Sequence, residues 1–236
     1  MEKDINKILL DELKSKPFVN VKLLGDSITH GVGGTGFEQN GEPIIEGFAR
    51  NPDGFCWAKL FKDYLEKNYN CAVTNNACTG TDLDFVINNF NVLVDEKDDV
   101  VICTIGTNNR HIYMWAGEKL SPEELGKQVY KKILKLNDML KATGKKYVLI
   151  ANIPASVESE MDGEDFWRIL HMCDINEIYK VAQSKEKFPF ISMYDLFSEY
   201  LQKNGIELKS LLFDKTHPND EGYRVMFEIL KTQFNV

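Results

Sequence analysis

Five short apolar runs, each closed by a polar or glycine-containing turn, constrain this chain more than any other feature. They lie at residues 18–24, Cys71–Asn75, 98–105, 146–153 and 188–193. The run at 98–105 is the clearest, a continuous VVICTI stretch bounded by acidic residues and Gly106. Amphipathic segments separate the runs. Residues 55–69 place Trp57, Leu60, Phe61, Tyr64 and Leu65 on one helical face, and residues 83–94 read as a helix broken near 88–91. Ser121-Pro122-Glu123-Glu124 opens a helix with a capping serine, proline in the first position and acids in the first turn; it runs to about residue 143 and stops at Gly144. Further helices are predicted over 164–185, 196–202 and 219–234. Strands that alternate with helices must pair in parallel through right-handed crossovers, with helices on both faces of the sheet. Continuous apolar strands fit a sheet covered on both sides. The expectation is therefore an α/β fold.

A chain of 236 residues suits one domain spanning 1–236. Its first 17 residues read as an amphipathic helix with Ile5, Ile8, Leu9 and Leu13 on one side, unlike a signal peptide with a basic end and an apolar core. No apolar run approaches the ~20 residues of a membrane span. A net charge of −8 disfavours nucleic acid and anionic membranes as partners. Cys56, Cys71, Cys78, Cys103 and Cys173 show no paired metal spacing, which predicts free thiols, no metal site and a reducing, cytoplasmic location. Assembly of identical copies stays open.

In a parallel sheet, ligands bind at the carboxyl ends of the strands, so those residues carry the functional reading. The first strand ends in Gly25-Asp26-Ser27, a sharp strand-to-helix turn that can expose a serine hydroxyl while its own N–H faces the same cavity. Alone, Asp26 and Ser27 would more often be a helix cap. The second strand ends in Asn75-Asn76-Ala77-Cys78-Thr79-Gly80, where Gly80 can offer a backbone donor, or simply make a turn. The third ends in Gly106-Thr107-Asn108-Asn109, where an asparagine amide can donate into the cavity, or again make a turn. Asp214 stands three residues before His217, ahead of the last helix, where its carboxylate can fix the imidazole tautomer.

Each piece is weak; their joint occurrence in this order resembles the SGNH hydrolases, the GDSL-like esterase and lipase superfamily. Gly25-Asp26-Ser27 is similar to its first block, and Asn75, Ala77 and Gly80 to its second, where glycine is commoner than Ala77. Gly106-Thr107-Asn108-Asn109 is similar to the third, which usually ends in Asp where this chain has Asn109. Asp214, His217, Pro218, Asn219, Gly222 and Tyr223 match the last. The resemblance implies a flavodoxin-like three-layer α/β/α sandwich with a five-stranded parallel sheet. It also implies Ser27 as nucleophile, His217 as general base and then acid, and Asp214 as its orienting carboxylate. The oxyanion hole would be the N–H groups of Ser27 and Gly80 with the Asn108 amide, and no metal or cofactor would be needed.

The implied reaction is hydrolysis of a small acyl ester, with an O-acetylated carbohydrate as the substrate that many members take. A lysophospholipid ester, transfer of the acyl group to a sugar, and a non-catalytic binding module are the competing readings. A flavin-binding flavodoxin-like protein would share the topology. Asp26, Asn109, Phe37 and Trp115 are the candidate substrate contacts, and His30 is the rival base. Gly31-Val32-Gly33-Gly34-Thr35-Gly36 fits a dinucleotide-loop pattern, but Pro43, Pro52 and further glycines follow where a helix should open. Residues 31–54 are therefore expected to form an inserted loop, a substrate wall or a lid, with a plain surface loop as the alternative.

Overall fold

The computed structural model describes residues 2–236. In chain order, α1 (Glu2–Ser15) leads into β1 (Val19–Gly25) and the one-turn α2 (Ser27–His30). A small hairpin, β2 (Pro43–Ile45) and β3 (Phe48–Ala49), precedes α3 (Trp57–Asn68) and β4 (Cys71–Asn75). Then come α4 (Leu83–Asn88), α5 (Phe90–Leu93), β5 (Val100–Thr104) and β6 (His111–Tyr113). The second half contains α6 (Pro122–Ala142), β7 (Lys146–Ala151), β8 (Phe166–Arg168), α7 (Met172–Glu186), β9 (Phe190–Ser192), α8 (Met193–Asn204) and α9 (Asp220–Phe234).

The main sheet has the order β4-β1-β5-β7-β9, and every pairing in it is parallel. Side chains alternate along each strand, so the two faces carry separate cores. Val21, Leu23, Val100, Ile102, Val148 and Ile150 pack against α1, α3, α8 and α9. Leu24, Val101, Cys103 and Leu149 pack against α4 to α7. The result is the expected three-layer α/β/α sandwich. All five residues of β5 are buried, as a central strand covered on both sides requires.

Several boundaries follow directly from local chemistry. Ser121 and Glu124 form a reciprocal capping box, with Pro122 in the first turn. The helix expected over 83–94 divides at Asn89 into α4 and α5. All five cysteines are free, and only Cys173 is exposed. Among the described residues no helix is long and apolar enough to cross a membrane.

One expectation is corrected. The helix placed over 164–185 begins only at Met172, where the His171 N–H meets the Asp174 carboxylate at 2.8 Å. Before it, β8 pairs antiparallel with β6, matching His111 with Arg168 and Tyr113 with Phe166. Backbone bonds fix this ribbon at both ends, from Met114 N–H to the Asp165 carbonyl and from Ile169 and Leu170 N–H to the Arg110 carbonyl. Extended pairing of aromatic side chains overrides the helical pattern there.

Candidate active site

Gly25 ends β1 at a position where a side chain has no room. A Cβ there would lie 2.6 Å from the Thr104 carbonyl oxygen of the neighbouring strand. Asp26 then caps α2, accepting the Ile28 N–H at 3.1 Å, and Ser27 occupies the first turn. Its own N–H is one of the donors that a helix start leaves without an intrahelical partner.

The facing wall comes from the other end of the chain. Leu212 and Pro218 form an antiparallel bridge, the Phe213 N–H donates to the His217 carbonyl at 2.8 Å, and Asn219 caps α9. Within this tight loop one oxygen of Asp214 accepts the N–H groups of Thr216 at 2.7 Å and His217 at 2.8 Å. Its other oxygen lies 2.7 Å from His217 Nδ1. Partial burial works to raise the Asp214 carboxyl, but the hydrogen bonds from His217 and Thr216 prevail and hold it below its ordinary value. His217 Nε2 then sits 2.8 Å from Ser27 Oγ. Hydroxyl, imidazole and carboxylate thus form one continuous hydrogen-bonded line.

Gly80 lies in the left-handed region at φ +75°, and its N–H has no partner among the described residues. The Asn108 amide donates one hydrogen to the Thr81 carbonyl at 2.8 Å, which leaves its second hydrogen free. These two loops follow β4 and β5, on either side of β1.

Two of the four expected substrate contacts point inward instead. Asp26 is 0 % exposed, and its second oxygen accepts from the Asn152 amide at 2.9 Å. Full burial raises its carboxyl, only partly offset by hydrogen bonds from Thr107 and Ile28. Asn109 is also buried, accepting the Leu83 N–H at 3.1 Å at the start of α4. Both residues brace the turns rather than line a binding surface. Phe37 is half-buried with its edge against the His30 ring, whereas Trp115 is 80 % exposed. The rival base His30 is buried, with both ring nitrogens already engaged. Its Nδ1 meets Thr79 Oγ1 at 2.8 Å and its Nε2 meets the Ala49 carbonyl at 3.0 Å, and burial lowers its pKa.

The loop over 31–54 carries the β2–β3 hairpin and is pinned to α9. Thr35 bonds the Asp220 carboxylate through both N–H and hydroxyl, and the Tyr223 hydroxyl donates to the Val32 carbonyl. No helix opens from its glycines, so the dinucleotide pattern is fortuitous. Three supports were not foreseen. The Asn152 amide ties Asp26 to Thr107, bonding Thr107 Oγ1 at 2.7 Å. Buried Arg110 pairs with Glu160 at 2.7 Å. Ser159 Oγ meets Thr216 Oγ1 within the imidazole loop. Only Asn152 carried a signal, its place at the carboxyl end of the fourth strand. The ion pair and the hydroxyl contact join residues 50 and 57 positions apart with no pattern to mark them.

Residues 23–225 match the model of the GDSL-like lipase/acylhydrolase family. No curated protein sequence matches the chain. Among solved structures it is similar to a lipase/acylhydrolase from Enterococcus faecalis, at 18% identity and TM-score 0.64, covering 91% of this chain and 94% of that one. It is also similar to an acetylxylan esterase from Geobacillus stearothermophilus, at 16% identity and TM-score 0.62, covering 92% and 94%. A two-domain esterase active on acetylated mannans aligns at 17% identity and TM-score 0.63, covering 98% of this chain but 52% of that one.

Proposed function

The chain belongs to the GDSL-like lipase/acylhydrolase family as an SGNH-type serine hydrolase, and we propose that it removes a short acyl group, acetate foremost, from a carbohydrate ester. The observation that carries the chemistry is the line from Ser27 Oγ through His217 to Asp214, with contacts of 2.8 and 2.7 Å. His217 Nε2 takes the Ser27 proton as Oγ attacks the ester carbonyl, and Asp214 stabilises the imidazolium. The carbonyl oxygen gains negative charge, which the N–H groups of Ser27 and Gly80 and the Asn108 amide accommodate. The tetrahedral species collapses as His217 returns the proton to the departing sugar oxygen, leaving acyl-Ser27. Water then attacks the acyl carbon as His217 takes its proton, and the second tetrahedral species collapses by breaking the acyl–Oγ bond while His217 returns that proton to Ser27 Oγ, releasing the acid and restoring the hydroxyl. None of these steps draws on a metal or cofactor.

The carbohydrate half of the proposal rests on the rim. Tyr113 and Trp115 stack with ring centroids 5.5 Å apart and planes 17° from parallel, on the ribbon that begins three residues after Asn108. Stacked, exposed aromatic faces suit the C–H face of a sugar ring. The acetylxylan and acetylated-mannan esterases share this fold, which agrees with that choice. A longer acyl chain is the second reading, favoured by exposed Val157, Met161 and Phe213.

A fluorophosphonate probe tests the chemistry: wild type labels and Ser27→Ala does not. Acetate release from acetylated xylo- and manno-oligosaccharides, beside nitrophenyl esters of two to twelve carbons, tests the substrate. Faster turnover with each added acyl carbon, and none on the sugars, overturns the carbohydrate assignment while leaving the esterase in place.

A further inference from the structure

Between the 41–52 hairpin and the outer edge of β4 lies a cavity of about 530 Å³ whose lining includes none of Ser27, Gly80, Asn108 or His217. Volumes of about 300–1,000 Å³ are typical of small-molecule sites. Its charged lining consists of Lys22, Arg50, Lys59, Lys62 and Lys97 against Glu42 and Asp95. This cationic excess stands out in a chain of net charge −8.

Lys22 is the anomaly. It sits in the second strand of the sheet, only 4 % exposed, on the face otherwise filled by apolar side chains. Its ammonium has one ionic neighbour, Asp98, at 3.6 Å, beyond hydrogen-bond reach, and no hydrogen bond among the described residues. Asp98 meanwhile accepts the Asp95 N–H at 2.7 Å. Arg50 has a parallel deficit. Its terminal nitrogens reach Asn76 Oδ1 at 2.8 Å and Glu42 at 3.4 Å, but its buried Nε–H meets no acceptor. A buried donor without an acceptor is costly, and a buried ammonium more so. The outer lysines have partners beyond the cavity, Lys59 with Asp63 and Lys62 with Glu66. Lys22 and Arg50 are thus left as an inward-facing pair rich in donors and short of acceptors. Ile44, Val73 and Val92 add an apolar side to the same cavity.

We propose that this cavity is a second ligand site, separate from the esterase centre, that binds a small organic anion through an oxygen-rich phosphate or carboxylate head. The head pairs with Lys22 Nζ and the exposed part of the Arg50 guanidinium, and the apolar side covers the remainder of the molecule. Arg50 is flanked by residues that hold the other side of the loop, since Ala49 accepts from His30 and Asn51 donates to the His30 carbonyl. Occupancy therefore bears on the segment beside the α2 turn.

Calorimetric titration at low ionic strength with pyrophosphate and with citrate, against chloride at matched ionic strength, tests the site. One pyrophosphate or citrate per chain is expected, weakened at least ~10-fold in both Lys22→Met and Arg50→Gln, as loss of a charge-assisted bond implies. The tighter of the two anions identifies the head group. Lys22→Met leaves Asp98 without its cation and can lose the fold, so circular dichroism accompanies both variants, and Arg50→Gln supplies an independent reading. Absence of binding by either anion, or binding unchanged in a folded Arg50→Gln, overturns the proposal.

Discussion

The turn after β1 and the ribbon of β6 and β8 face the same rim of the sheet, yet they are built on opposite terms. Around Ser27, Asp26, Thr107 and Asn152 are fully or almost fully buried, and one amide clamps the turn to its neighbours. On the ribbon and the turn that follows it, Tyr113, Met114 and Trp115 are exposed, and Tyr113 and Met114 are held by backbone bonds rather than by a core. The first arrangement fixes atoms to within hydrogen-bond tolerance, which proton transfer demands. The second offers broad apolar faces that can meet many partners. Under the proposed function, chemistry is assigned to the sheet edge and selection to the loops it supports.

The most severe break in that contrast comes from the turn itself. Ser27→Ala is expected to lower kcat by on the order of 10⁵–10⁶, with a thermal melt close to wild type. Next is Asn108→Ala, expected to cost about 10²–10³ in kcat on the natural ester and leave KM nearly unchanged. A variant with wild-type kcat removes Asn108 from the oxyanion role. On the ribbon, Trp115→Ala should raise KM about 3–10-fold on acetylated oligosaccharides and leave nitrophenyl acetate turnover untouched. An equal loss on both substrates erases the proposed division of labour.

The smallest effect sharpens the comparison through pH. Burial, helped by the charges of Arg168 and Arg110, holds His111 at about 4 against its ordinary 6.5. The unfolded chain takes up this proton near 6.5 and the folded chain only near 4, so the unfolded state binds more protons between those values. Stability supported by neutral His111 therefore declines as pH falls through that window. Asp214 acts in the same sense, over a lower pH range. Its carboxyl is held low, so its contribution is present above its ordinary value of 3.8 and is lost only as pH falls further. Melting temperatures of His111→Phe should fall less steeply than wild type on going from pH 6.5 to 4.

The sheet was legible because each of its strands is an apolar run between turn residues, and β4 was bounded to the residue. The Ser27–His217–Asp214 line, to which we assign catalysis, was legible because its members stand at a strand end and ahead of a helix cap, places where the backbone dictates direction. Other features were not. The ribbon was read as helix because Phe166, Trp167 and Ile169 mimic a helical face, and only pairing with distant His111–Tyr113 decides otherwise. Asp26 and Asn109 were expected to contact substrate because polarity says nothing about which partners lie beneath; Asn152 and the Leu83 N–H supply them. Lys22 shows the same limit, since nothing in the sequence marks a lysine within the first strand as buried.

The Ser27–His217 contact joins residues 190 positions apart. The imidazole is delivered by the docking of α9, whose Tyr223, Met226, Leu230 and Phe234 bury against the layer that holds α1 and α3. Ester cleavage is thereby a gauge of completed assembly. In refolding from denaturant, helical signal will return first, and turnover will recover only when the last segment has locked onto the first.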